Sequence, residues 1–150
     1  SSSCTYDIKF VPAQGGTRTG TILVNVGNDP YSPRKVAAVG IGEWPTVTPI
    51  NQNFGAVTVG SPRLAFITFT NTEPQPVVLA SSLSDTVNYA IASDTCPASP
   101  TALAGKSSCI IEVEFAPTVT GMLNGTFSVS DTGSGDPGSP HAVHLYGSGK

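Results

Sequence analysis

Apolar and polar residues alternate with a period of two along this 150-residue chain, and no segment of helical length carries an apolar stripe of period about 3.6. The pattern predicts strands. From Cys109 to Phe115, the residues Cys109, Ile111, Val113 and Phe115 fall on one face, with Ile110, Glu112 and Glu114 on the other. The same alternation predicts a strand in which Cys4, Tyr6, Ile8 and Phe10 oppose Thr5, Asp7 and Lys9. Pro12 and Pro117 end these strands, because proline has no amide hydrogen for a central ladder. Gly16 and Gly121 suit turns into strands that face Ile22 and Val24, or Phe127 and Val129, inward. Closing strands run through Val36–Ala38 and Val143–Leu145 and finish on Gly-X-Gly. Five more strands are expected at 46–50, 54–60, 64–70, 77–82 and 89–92, with Asn71-Thr72-Glu73-Pro74 as a turn. About seven short strands at regular spacing make an all-β, antiparallel, immunoglobulin-like sandwich.

Part of the chain is written twice. Cys4 to Pro12 returns as Cys109 to Pro117, at a spacing of 105 residues (109 − 4). The match continues through Gly16/Gly121, Gly20-Thr21/Gly125-Thr126 and Val24/Val129. After a two-residue insertion it resumes at a spacing of 107 (140 − 33), pairing Asp29/Asp136, Ser32-Pro33/Ser139-Pro140, Val36/Val143, Gly40/Gly147 and Gly42/Gly149. The expected organisation is a tandem repeat: residues 1–42 form the C-terminal part of a preceding repeat, 43–45 a short linker, and 46–150 a complete seven-stranded repeat. Features shared by both copies are scaffold, and positions that differ are free to be specific.

Charged residues make up 11% of the chain and the net charge is −3. The seven Lys and Arg are scattered, which argues against nucleic acid and anionic membrane surfaces as partners. No run of about 18 apolar residues is present, so these residues insert no helix into a bilayer. Of the three cysteines, Cys96 and Cys109 enclose a loop rich in Pro, Ser, Ala and Gly and are expected to form a disulfide. By the repeat spacing, a partner for Cys4 would lie upstream of Ser1, so Cys4 is read as an unpaired or intermolecular thiol. Paired thiols in a Ser/Thr-rich, charge-poor chain point to an extracellular, cell-surface or periplasmic setting.

The ordered series Asn53-Phe54-Gly55, Val57-Thr58-Val59-Gly60-Ser61, Phe69-Thr70-Asn71-Thr72, Ser108-Cys109, Phe115-Ala116-Pro117, Gly125-Thr126 and Gly147-Ser148-Gly149 resembles the choice-of-anchor D repeats of bacterial surface and secreted proteins. Those repeats are similar to the ASH (abnormal-spindle and Hydin type) immunoglobulin-like domains. The resemblance covers Pro45 to Gly149 as a whole unit and Cys4 to Gly42 as the back of another. It implies a seven-stranded sandwich related to major sperm protein and pilus-chaperone folds. It also implies a non-enzymatic role as spacer, adhesion or interaction module, without naming a ligand. This chain departs from the family at Asn71-Thr72-Glu73-Pro74 and in a longer 131–140 loop.

Several motifs invite a chemical reading. Asp131-Thr132-Gly133-Ser134 spells an aspartic-protease signature, but that chemistry needs two such aspartates and the first copy reads Val26-Gly27-Asn28. Asp131 and Asp136 offer oxygens to calcium, which takes roughly six to eight of them; in a Gly/Pro/Ser hairpin, aspartates more often initiate turns. His141 and His144, three apart on a strand, point to opposite faces and are read as solvated surface. No serine sits in a Gly-X-Ser-X-Gly elbow, and Asn124-Gly125-Thr126 is a sequon that a bacterial source leaves idle. Trp44 and Tyr31 are the aromatic residues a sandwich interior explains least, and are the candidate partner contacts. The expectation is therefore no catalytic residue, no metal and no cofactor. The partners expected are neighbouring immunoglobulin-like repeats or other copies of this chain. The alternatives are a filament subunit assembled by strand complementation of residues 4–42, or an accessory carbohydrate-binding module.

Overall fold

The structure, a computed structural model, describes residues 3–12, 16–132, 136 and 138–150. It divides into two compact units, Ser1–Glu43 and Trp44–Lys150. In the first unit, β1 (Gly16–Val24) and β2 (Arg34–Gly42) form a two-stranded antiparallel ribbon.

Among the described residues the second unit has eight strands: β3 (Thr46–Thr48), β4 (Asn51–Val57), β5 (Arg63–Thr70), β6 (Val78–Leu83), β7 (Tyr89–Asp94), β8 (Ser108–Phe115), β9 (Gly121–Thr132) and β10 (His141–Gly149). They form two four-stranded sheets, ordered β4-β10-β9-β6 and β3-β5-β8-β7. Pairing is antiparallel except between β4 and β10. Pro49 has no amide hydrogen for a ladder and separates β3 from β4, and the chain crosses from one sheet to the other there. The result is an all-β, immunoglobulin-like sandwich.

Alternation decides what each sheet buries. Ile67 and Phe69 from β5, Val113 and Phe115 from β8, and Phe127 and Val143 from β9 and β10 are each 0% exposed. Phe115 anchors an aromatic group: its ring lies 4.9 Å from that of Tyr89, stacked, and 5.4 Å from that of Phe54. The Tyr89 hydroxyl donates to the Leu123 carbonyl at 2.9 Å. Burial, with a smaller contribution from the Asp85 charge, pushes the Tyr89 phenol up to about 12. Gly147 is required beneath Phe115, because a Cβ there would lie 2.5 Å from the ring. Asn71, 0% exposed, ties two loops together. Its amide donates to the carbonyls of Gln75 at 2.8 Å and Ala104 at 3.2 Å, and its oxygen accepts from the Glu73 amide at 3.0 Å.

The ribbon of the first unit repeats the β9–β10 pairing residue for residue. β1 and β2 pair from Gly16↔Gly42 to Val24↔Arg34, and β9 and β10 from Gly121↔Gly149 to Val129↔His141. Adding 105 to each β1 residue and 107 to each β2 residue converts one register into the other. Even the glycine under the phenylalanine recurs: a Cβ on Gly40 would lie 2.6 Å from the Phe10 ring.

The strand expected over residues 4–10 is not formed. Its counterpart β8 is held between β5 and β7, and neither has an equivalent among the described residues of the first unit. Alternation sets which way side chains point, but a strand exists only where a ladder partner satisfies its backbone.

Candidate functional site

Two places in the structure depart from an ordinary solvated sandwich surface. The first is an open apolar face on the first unit. Tyr6, Ile8, Phe10 and Val36 are 66%, 62%, 48% and 51% exposed. Their counterparts by the repeat spacing, Ile111, Val113, Phe115 and Val143, are 2%, 0%, 0% and 0% exposed. In the second unit Phe54, Ile67, Phe69 and Tyr89, contributed by β4, β5 and β7, share that core. The first unit instead has an apolar groove of about 580 Å³ lined by Cys4, Tyr6, Ile8, Ile22, Val24 and Val36.

Cys4 stands on that groove as an exposed free thiol. Cys96 and Cys109 are joined by a disulfide, with Cα atoms 4.9 Å apart, which ties the segment after β7 to the start of β8. Tyr31 is 75% exposed, with the Arg34 guanidinium 5.4 Å from its ring centroid. Trp44 is partly buried: the Thr72 hydroxyl donates to its carbonyl, and its indole Nε1 is enclosed with no acceptor among the described residues.

The second place is a buried group of acids and a histidine at the β9–β10 end of the second unit. The side chains of Asp131, Asp136 and His141 are 0%, 2% and 13% exposed. His141 Nε2 lies 2.9 Å from Asp136 Oδ2 and 3.5 Å from Asp131 Oδ1. The imidazole meets Phe69 edge-on, with ring centroids 5.8 Å apart. Glu73, 8% exposed, is close enough for its carboxyl to be raised above the usual range, by burial first and then by the charges of Asp131 and Asp136.

This corrects the reading of His141 as solvated surface, whereas His144 is exposed as expected. His141 keeps the inward parity of Val143 and Leu145 on β10. Asp131 likewise continues the inward parity of Phe127 and Val129, because β9 runs on to Thr132. It is thus a strand residue and not a turn residue. Gly133 and Ser134, the rest of the protease-like signature, lie outside the described residues. Glu73 was missed altogether, since it sits in a turn whose spatial neighbour is a loop about sixty residues further along.

The loops that close the two ribbons share their hydrogen bonds. The Val26 amide donates to Ser32 Oγ at 2.9 Å, and the Asp131 amide to Ser139 Oγ at 3.0 Å. Tyr31 N donates to Asp29 Oδ1 at 2.9 Å, and Gly138 N to Asp136 Oδ1 at 2.6 Å. Asp29 pairs with Arg34 Nε at 2.8 Å where Asp136 faces His141. On this common frame Asp131 stands where the first copy has Val26, and His141 where it has Arg34, besides changes such as Ser130 for Asn25 and Gly138 for Tyr31.

Comparison with known proteins places the fold. The ASH/PapD-like domain of human CEP192 (PapD-like domain 7) is similar at TM-score 0.53 and 13% identity, covering 71% of this chain and 84% of that one. The Vibrio cholerae VesB protease is similar at TM-score 0.55 and 18% identity over 65% of this chain, which spans 30% of that protease. A Porphyromonas gingivalis protein of unknown function matches at TM-score 0.52 and 12% identity, covering 90% of this chain and 66% of that one. At these identities the likenesses establish the fold alone. No match to a curated protein was found. The model of the ASH family (Abnormal spindle-like microcephaly-associated, ASPM-SPD-2-Hydin) matches residues 45–138, more than half of the chain, and the chain belongs to that family.

Proposed function

We propose that this chain is a non-catalytic structural and protein-interaction module of an exported bacterial multi-repeat protein. In this reading residues 1–42 are the C-terminal part of a preceding repeat, 43–45 the linker and 46–150 a complete repeat. The open face of the first ribbon takes up the strand layer of another immunoglobulin-like repeat. The observation that carries this is the pair of exposures: Phe10, Ile8 and Val36 are 48%, 62% and 51% exposed where Phe115, Val113 and Val143 are fully buried. Fully burying an exposed side chain of this kind is worth about 1.5–3 kcal/mol. Tyr6, Ile8, Phe10 and Val36 are already partly covered, so completing their burial supplies a drive of roughly 3–7 kcal/mol before the cost of association. The Cys96–Cys109 disulfide supports an oxidising, extracellular or periplasmic setting.

A second reading is a filament subunit. Among the described strands β1 and β2 pair only with each other, so both outer edges of the ribbon are open to strands from another copy. Analytical ultracentrifugation tests both readings. The chain is expected to associate through residues 4–42, and Ile8→Asp with Val36→Asp should return it to monomer with the second unit still folded. Closed oligomers favour the first reading and fibres under the electron microscope the second. A wild-type chain that stays monomeric at every concentration contradicts the second.

A further inference from the structure

We propose that Asp131, Asp136 and His141, with Glu73 beside them, form a binding site for a divalent transition-metal ion, and that zinc is the ion to test first. The donors suit it: an imidazole nitrogen with carboxylate oxygens is a zinc-type set, whereas calcium takes oxygens throughout. The spacing suits it too. Each of the three residues offers one ligand atom, and these atoms lie within 4.8 Å of one another. Four ligands at about 2.0–2.1 Å around a tetrahedral ion stand about 3.3 Å apart, and His141 Nε2 lies 2.9 and 3.5 Å from the two aspartate oxygens.

Direction separates this cluster from a simple ion pair. His141 Nε2 is enclosed and makes no hydrogen bond, although Asp136 Oδ2 is within reach. A histidine paired with a carboxylate aims its N–H at the oxygen; here the atoms converge without being aligned on each other, as ligands around a common centre are. Metal-binding carboxylates are held in place by outer hydrogen bonds. Asp136 is held in this way by the Gly138 amide at 2.6 Å.

The first ribbon is a built-in comparison. On the same frame it carries Val26 and Arg34, a residue with no ligand atom and a permanent cation that satisfies Asp29 at 2.8 Å. The second ribbon gives up that fixed positive charge for an imidazole and adds a carboxylate. Glu73 adds another. A divalent ion would restore the charge that the arginine supplies in the first ribbon. A route in exists as well: His141 lines a groove of about 300 Å³ with Pro45, Val47, Ile50 and Pro140.

The test uses the whole chain, stripped with chelator, dialysed and then titrated with zinc alone by calorimetry and thermal unfolding. One equivalent is expected to bind and to raise the Tm by roughly 10 °C or more at a hundredfold excess over Kd. Asp131→Val with His141→Arg copies the first ribbon, and should fold with the wild-type circular dichroism spectrum and bind no zinc. Asp136→Asn keeps an oxygen for the Gly138 amide and should weaken binding at least tenfold, which guards against the double variant failing to fold. His144→Ala, which changes an exposed histidine, should bind as wild type does. Failure of the wild-type chain to hold zinc would overturn the proposal, as would equal binding by the Val/Arg variant, loss of binding on changing His144, or binding of calcium in preference to zinc.

Discussion

Phe115→Ala is expected to lower the stability of the second unit by about 3–5 kcal/mol, while Phe10→Ala changes it by less than about 0.5 kcal/mol. The two residues are equivalent by sequence, and each covers a glycine in the paired strand, Gly147 or Gly40. They differ in what covers them. Phe115 is 0% exposed between Phe54 and Tyr89, so truncation leaves a cavity as well as losing transfer energy. Phe10 is 48% exposed and lies in the first unit, so truncation removes a ring about half in water and leaves the core of the second unit intact. Against a total of about 5–15 kcal/mol for an ordinary domain, the first loss is a large fraction. Urea denaturation followed by circular dichroism measures both; equal effects would mean that the two phenylalanines share one environment.

Removing the Cys96–Cys109 disulfide, as Cys96→Ser with Cys109→Ser or by reductant, should lower stability by about 3 kcal/mol through the freed entropy of the unfolded chain. The bond closes a segment with a sequence separation of 13. It also holds Cys109, 3% exposed, at the start of the central strand β8, so the hydroxyl left there adds a desolvation cost to the lost link. Thiol titration of the native oxidised chain should find Cys4 alone, because it is exposed and free. An unfolding midpoint unmoved by reductant would contradict this assignment.

The strands of the second unit were legible in the sequence because all their ladder partners lie within it. At residues 4–10 the same alternation misled, since the pattern Cys-X-Tyr-X-Ile-X-Phe matches β8 yet no strand among the described residues pairs with it. The register of the ribbon was implicit in the repeat: offsets of 105 and 107 carry Gly16↔Gly42 onto Gly121↔Gly149. The acid–histidine cluster was half legible. Parity puts His141 with Val143 and Leu145, and Asp131 with Phe127 and Val129, whereas their polar identity points to solvent or a turn. Glu73 carried no such signal. Its position depends on how the loop after β5 folds against the end of β9, which Asn71 fixes through carbonyls at 75 and 104.

The proposed incompleteness of the first ribbon bears most on function. It predicts that supplying the strands that cover β8–β10 will complete the ribbon. Fusing a copy of residues 45–108 directly ahead of Cys4 would place that layer where the repeat spacing requires it, with a second Cys96 in reach of Cys4. Thiol titration with hydrogen exchange is the decisive measurement. The free-thiol count should fall from one to zero, and the amides of residues 4–10 should become as protected as those of β8. A Cys4 that stays reactive, with those amides still exchanging as in the unfused chain, would contradict the account.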